Sequence, residues 1–511
     1  MRKAPEHRFS FRDVVAGLSV ALVLAPQSMA YAELAGLPSH HGLYAAALPP
    51  IAAAFLASSP YLQTGPVALT ALLTLGALTP LAPPGSAEFV GLAALLALVV
   101  GVARLAFGLL KAGWLSYLMS RPILIGFTSA AAILILGSQL PGAVGSVPPP
   151  GSVLSRAWWV LSHPGSWEGA SVALALVTVL VVQGARHVHR LIPGVLVAAV
   201  IGMVFSITTG YTGPTLGAVS AGLPPFSLRL PWASLPLLLV PGGVIALVGF
   251  AEAASISRVF AAEDRQKWDA DREFLSQGMA NLAAGLTGGF PVGGSFSRSS
   301  LHRLSGATSR WGGLITGVAI LAFLPFADVM GPLPRAVLAG IVIAAVGSLV
   351  RPRDLLDLWS LSRPQAVVGL GTFASTLILA PRIEQAVLLG VIMAMTVHMW
   401  RELTPGVAAR SEGSTLHLEP SGVLWFGSAP ALEDRVFACL AEQPETTHVV
   451  INCSGLGRID LTGAHTLLEL LDQVRKAGVD IRLVGVPDHA LRILNGVARS
   501  EGVPFDPGSE D

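Results

Sequence analysis

Apolar residues in this chain come in long blocks separated by short polar breaks, not in the period-two alternation of a half-buried strand. Fourteen blocks can be marked, at 13–35, 42–57, 66–79, 87–108, 114–138, 169–185, 193–209, 235–257, 272–289, 296–306, 309–327, 334–350, 363–380 and 384–401. Each predicts a helix. Crossing the hydrocarbon of a bilayer takes about 20 apolar residues, and the third and tenth blocks are too short to cross alone. The first block follows Arg2, Lys3, Arg8 and Arg12, and Ala30-Tyr31-Ala32 imitates a signal-peptide cleavage site. The many blocks behind it make it a true span instead.

The polar breaks set an orientation. With the N-terminus inside, seventeen Lys and Arg fall on the cytoplasmic side, among them Arg104, Lys111, Arg186 and Arg190, against four outside, Arg156, Arg229, Arg335 and Arg382. That is the positive-inside asymmetry. It holds only for an even number of spans, which places both termini in the cytoplasm of a cell (inner) membrane protein.

After Arg401 the pattern changes to ordinary soluble density. Ser414–Leu418, Gly422–Phe426, Thr447–Asn452 and Asp480–Val486 predict strands, and Thr462–Ala477 and Asp488–Gly496 predict helices, a small α/β domain. The chain divides into a cytoplasmic segment 1–12, a transmembrane domain 13–401 in two halves of seven segments (about 13–209 and 235–401), a linker 402–411, the α/β domain 412–505 and a disordered tail 506–511.

Composition agrees. Charged residues make up 12% of the 511, about half the roughly 25% of soluble domains, and mean hydropathy is +0.66. A net charge of +1 gives no reason to expect a nucleic-acid partner. Two cysteines, Cys439 and Cys453, suggest neither a disulfide framework nor a Cys-based metal site. No metal, no cofactor, no P-loop and no catalytic constellation is expected, so the chain reads as no enzyme.

The candidate chemistry lies in the two short blocks. The third is entered through Thr64-Gly65-Pro66-Val67, and the tenth through Gly288-Gly289-Phe290-Pro291-Val292-Gly293-Gly294-Ser295. Matched breaks in corresponding places of two halves point to an inverted-repeat transporter with its site at the bilayer midplane. Two half-helix N-termini facing one another, with unpaired N–H groups and partial positive charge, suit a carboxylate or oxyanion. Arg298, in Ser295-Phe296-Ser297-Arg298, would add a full charge and Ser297 a hydroxyl; the alternative is an arginine snorkelling to the interface. Gln27 and Tyr31, one turn apart, could line the pocket or pack between helices. Glu33 and Glu252 stand in apolar blocks, where burial disfavours a carboxylate's charged form, so either is a candidate proton carrier.

Ala25-Pro26-Gln27-Ser28-Met29-Ala30-Tyr31-Ala32, Leu37-Pro38-Ser39-His40-His41-Gly42-Leu43-Tyr44, the stretch from Ser58 to Ala68 and that from Phe290 to Ser299 resemble the motifs of the sulfate permease family of anion transporters. Asn452 to Gly463 looks like the core of a STAS domain. The resemblance runs from about residue 8 to 505. It implies fourteen segments in two inverted repeats of seven, a core and a gate domain, elevator-type alternating access and a homodimer. It places Gln27, Tyr31, Ser297 and Arg298 at the anion and Glu252 beside it. An acid at Glu33 is a feature of proton-coupled members. Thr462 fits the phosphorylated Ser/Thr of related antagonist proteins, but Asn452 stands where an Asp is usual.

The expectation is a secondary transporter, a proton symporter of a dicarboxylate such as fumarate or succinate, or of sulfate or bicarbonate. The alternatives are an uncoupled exchanger or channel for chloride or bicarbonate, and a membrane signalling scaffold whose STAS domain binds a cytoplasmic protein.

Overall fold

The computed structural model describes residues 9–189, 191–220, 222–403 and 406–501. Arg2, Lys3, Arg8, Arg190 and the tail expected at 506–511 lie outside the described residues. The chain forms two compact units, Met1–Met393 and Ala394–Asp511.

In the first half of the chain the helices are α1 (Phe11–Leu34), α2 (His40–Leu56), α3 (Ala68–Leu78), α4 (Ala87–Leu109), α5 (Arg121–Val144), α6 (Val153–Ser162), α7 (Gly169–Val188) and α8 (Gly194–Thr209). The second half gives α9 (Leu235–Glu263), α10 (Ala270–Leu286), α11 (Phe296–Leu304), α12 (Trp311–Phe323), α13 (Arg335–Val346), α14 (Pro352–Leu361), α15 (Arg363–Ile378) and α16 (Ile383–Leu403). A helix lies over every one of the fourteen apolar blocks. Among the described residues, six helical stretches are long and apolar enough to cross a membrane by length and composition.

Helix α5 starts at Arg121, not near 114, because Pro122 suits a first helical turn; it runs on to Val144 and stops at Gly145, whose φ is +69°. The short helices α6 and α14 were not expected. Each has a mixed polar and apolar sequence that block-counting passes over.

The membrane unit sorts into two packing groups. Helices α1 to α4 pack with α9 to α12, most extensively α10 on α4 and on α2, and α12 on α2 and α1. The second group is built on α5 against α13 and α15, with α7, α8 and α14. They meet chiefly along α1, which touches α8 and α13. Close crossings rest on small residues: a Cβ on Gly42 would lie 2.0 Å from the Ser28 carbonyl oxygen, so α1 and α2 could not approach so closely with any larger residue there.

Asp13, wholly buried, pins the start of α1 to the turn before α12. Its carboxylate accepts from the backbone N–H of Ser10, Thr308 and Ser309 and from the Ser309 hydroxyl at 2.7–3.0 Å, and from the Thr308 hydroxyl at 3.2 Å.

In the second unit, strands β3 (Gly406–Glu412), β4 (Thr415–Leu424), β5 (His448–Asn452) and β7 (Asp480–Val484) run in that order across one sheet, and β6 (Leu456–Ile459) pairs with β4. β3 is antiparallel to β4, and the other pairings are parallel. Helices α17 (Ala429–Glu442), α18 (Leu461–Lys476) and α19 (Asp488–Glu501) close a core of Leu418, Val436, Ile451, Leu467 and Leu483 among others.

Two expectations need correcting here. Most of the expected linker 402–411 is strand β3, because its backbone pairs along β4 whatever its polar side chains. The two strands expected at 414–418 and 422–426 are one: β4 runs through Pro420, pairing first with β5 and beyond Gly422 with β6. Helix α17 was not expected.

Candidate functional site

The two Gly/Pro breaks are brought together. Two-residue strands β1 (Thr64–Gly65) and β2 (Gly293–Gly294) pair antiparallel, Thr64 opposite Gly294 and Gly65 opposite Gly293. The pairing continues one step on, where the Ser295 N–H donates to the Gln63 carbonyl at 3.1 Å. The Ser299 hydroxyl oxygen accepts from the Gln63 N–H at 2.9 Å. Helices α3 and α11 leave this small sheet from its two strands. The residues before them, Val67 and Ser295, are extended, and neither gives its helix a side-chain cap. The first N–H groups of both helices are therefore open to an acceptor.

Arg298 stands in the first turn of α11 and is 1% exposed. Its Nη1 donates to Gln27 Oε1 at 3.3 Å, and Gln27 Nε2 donates to the Tyr31 hydroxyl at 2.9 Å. Among the described residues Nε and Nη2 have no hydrogen-bond partner, and no carboxylate lies within ion-pair distance. A buried guanidinium with two idle donors makes this the candidate place for an anion. Gly65 lies directly against it: a Cβ there would sit 3.5 Å from Nη2. Pro66 and Val67 are buried beside the same break.

Other candidates are placed differently. Phe296 and Ser297 lie on the exposed face of α11; Phe296 stacks on Phe260 at 6.1 Å, and the Ser297 hydroxyl is 3.3 Å from that of Ser295. Glu252, on α9, is half-buried and makes no hydrogen bond or ion pair among the described residues. Glu33 is not brought to the arginine. Two residues past Tyr31 it points elsewhere, and its Oε1 meets Arg335 Nε at the start of α13 at 3.4 Å. Thr462 is exposed in the first turn of α18, which Asp460 caps through the Gly463 N–H at 2.6 Å.

Sequence reasoning misplaced one residue outright. Arg104, counted with the cytoplasmic basic residues, is fully buried in α4. It donates to the carbonyls of Ala246, Val292 and Ile245 at 3.1, 2.9 and 3.3 Å, fastening α9 to the approach of β2. Also missed were Gln277 and Asn281 behind the small sheet. The signal was in the chain: polar residues at 273, 277 and 281, each one turn from the next, inside an apolar block.

Comparison with known proteins gives a family and a fold. The family model described as the sulfate permease family matches residues 11–372, and that of the STAS domain matches 407–509. Arabidopsis thaliana "Sulfate transporter 4.1, chloroplastic" is 32% identical over 79% of this chain and 61% of its own length. The chain thus spans about three fifths of that plant relative. A Mycobacterium tuberculosis protein named a probable sulfate transporter is 29% identical over 93% of this chain and 89% of its own. The structure of murine Solute Carrier 26 family member A9, an anion transporter in the inward-facing state, superposes with a TM-score of 0.87 at 20% identity, over 97% of this chain and 88% of that one. The protein is a multi-pass membrane protein of this fold, not an enzyme, and it belongs to the sulfate permease family, with a C-terminal STAS domain.

Proposed function

We propose that the chain is a secondary transporter that carries sulfate. The carrying observation is Arg298, 1% exposed, with Nε and Nη2 unpartnered beside two uncapped helix N-termini. A doubly charged oxyanion fits such donors, and the names of the relatives put sulfate ahead of fumarate, succinate and bicarbonate. Thr64, Gly65, Pro66 and Val67 form one wall, Gln27 and Tyr31 orient the guanidinium, and Ser295 starts the second helix. Phe296 and Ser297, on the exposed face, come second in this reading. Of the two acids, Glu252 is the better proton carrier, because among the described residues it has no ion-pair partner, whereas Glu33 meets Arg335 and links α1 to α13. The division of helices into two packing groups supports an elevator-like movement of one against the other. The reading has fourteen membrane segments, both termini cytoplasmic, a homodimer in the cell membrane, and a STAS domain that dimerises the chain or binds a partner, with Thr462 as a modification site.

Radiolabelled sulfate uptake into proteoliposomes under an inward proton gradient tests it, with fumarate, succinate, bicarbonate and chloride as competitors. Uptake rises with the gradient, and Arg298→Ala weakens apparent affinity roughly tenfold to hundredfold. Glu252→Gln abolishes the gradient's effect. Flux indifferent to the gradient favours the exchanger or channel. Folded protein that moves none of these anions overturns the transporter reading in favour of the scaffold.

A further inference from the structure

Two strands of two residues each cannot hold themselves together; isolated pairings of that size are unstable. Yet β1 and β2 set the distance between the two helix ends. What fixes them stands behind, on α10. Gln277 and Asn281 are both fully buried there and one turn apart. Gln277 Nε2 donates to the Thr64 hydroxyl at 2.7 Å, gripping β1. Asn281 grips the residue before β2 at both ends of its backbone: its Oδ1 accepts from the Val292 N–H at 2.9 Å, and its Nδ2 donates to the Val292 carbonyl at 3.1 Å. The amide acts as one more peptide group in a ladder. A turn earlier, the buried Glu273 accepts from the N–H groups of Ser58 and Ser59, at 3.2 and 2.8 Å, on the approach to β1. Ser276 donates to the Ala53 carbonyl at 3.0 Å. One face of one helix therefore holds both broken segments, and α10 packs broadly on α4, whose Arg104 also reaches Val292.

We propose that Gln277 and Asn281 are positioning residues: they hold the two breaks in register and so set the spacing of the anion site between α3 and α11. This rests on the anion reading above, but the register itself can be measured without any anion. Neither residue touches the guanidinium of Arg298; each acts through the backbone or side chain it grips.

The test uses the full chain, purified and reconstituted, in the parent and in Asn281→Ala, Gln277→Leu and the near-isosteric Asn281→Asp. Two readouts are taken. The first is cross-linking of a cysteine pair placed at Gln63 and Ser295, which face each other across the extended sheet; the native cysteines, Cys439 and Cys453, are buried. The second is labelled sulfate binding beside maximal uptake rate. The expected result is several-fold slower cross-linking in all three variants. Sulfate affinity falls about tenfold in the Ala and Leu variants and less in Asn281→Asp, which keeps the bond from the Val292 N–H. The maximal rate changes far less than affinity. Should either large-effect variant fail to fold, Asn281→Asp carries the decision. Unchanged cross-linking and affinity in folded variants overturns the proposal, as does an equal loss of rate and affinity with normal cross-linking. A parent that binds no sulfate overturns the anion reading instead, and the cross-linking still decides the register.

Discussion

Two buried ionisable side chains in this molecule are partnered in opposite ways. Asp13 is wholly buried and accepts from five donors, on Ser10, Thr308 and Ser309. Nothing is left for a ligand to do. Arg298 is as deeply buried and, among the described residues, gives one bond, to the neutral amide of Gln27. Removing Asp13 strands several buried donors, each at a cost of about 1–3 kcal/mol when unsatisfied, so Asp13→Ala lowers the stability of the membrane unit by several kcal/mol. The check is thermal unfolding in detergent, where Asp13→Ala melts well below the parent and Asp13→Asn falls between them. Arg298 behaves the opposite way. Lysine there keeps a charge but loses the planar fork, so Arg298→Lys loses affinity for sulfate, less than Arg298→Ala does, and leaves the melting temperature near the parent's. Equal melting losses in the two positions would contradict the distinction.

At the scale of elements, the short helices explain why the breaks matter. α3 has 11 residues and α11 has 9; at about 1.5 Å per residue they span roughly half of a hydrocarbon core about 30 Å thick. In the transporter proposed above their N-termini meet at mid-depth, where an uncapped N–H has no water to turn to. Gly65 keeps the space before Arg298 clear, and Gly65→Val fills it: the valine Cβ alone would sit 3.5 Å from Nη2. Gly65 has φ +158°, which residues with a side chain rarely adopt, so Gly65→Val also strains β1. Sulfate binding falls at least severalfold in the fraction that elutes folded and monodisperse, and wild-type affinity in that fraction would place the anion elsewhere. These elements were legible in the chain because breaks of Gly and Pro interrupt apolar blocks at matched places. The pairing of β1 with β2 was not, since two residues carry no periodicity. Arg104 was misread for a related reason: near the end of an apolar block, an arginine looks the same whether it faces water or three carbonyls of α9 and the β2 approach. Glu33 and Glu252 both looked like intramembrane acids, and only the packing separates one that meets Arg335 from one that has no ion-pair partner among the described residues. Helix α17 escaped notice because its apolar positions are spread through Ala429–Glu442 in a helical rather than a block pattern.

For the whole molecule, the change of composition after Arg401 marks a change of solvent. The membrane unit leaves large apolar side chains on its outside, Leu176, Leu180, Ile207 and Ile392 among them, as a bilayer allows and water does not. The unit that follows hides its apolar residues in a core of its own, built from β4, β5, β7 and the inner faces of α17, α18 and α19. A domain with its own core folds on its own, so a fragment of residues 402–511 should unfold in one cooperative transition. Its cysteines report on this. Both are buried, and burial pushes the Cys453 thiol up to about 12. At pH 8 an ordinary thiol near 8.5 is about one quarter thiolate. One at about 12 is thiolate in roughly one molecule in ten thousand by the same arithmetic, and its sulfur is also out of reach. Maleimide should therefore label Cys453 slowly in the native fragment and rapidly once urea passes the unfolding midpoint, in step with the loss of circular dichroism. Rapid labelling in native buffer would show that these residues need the rest of the chain to fold.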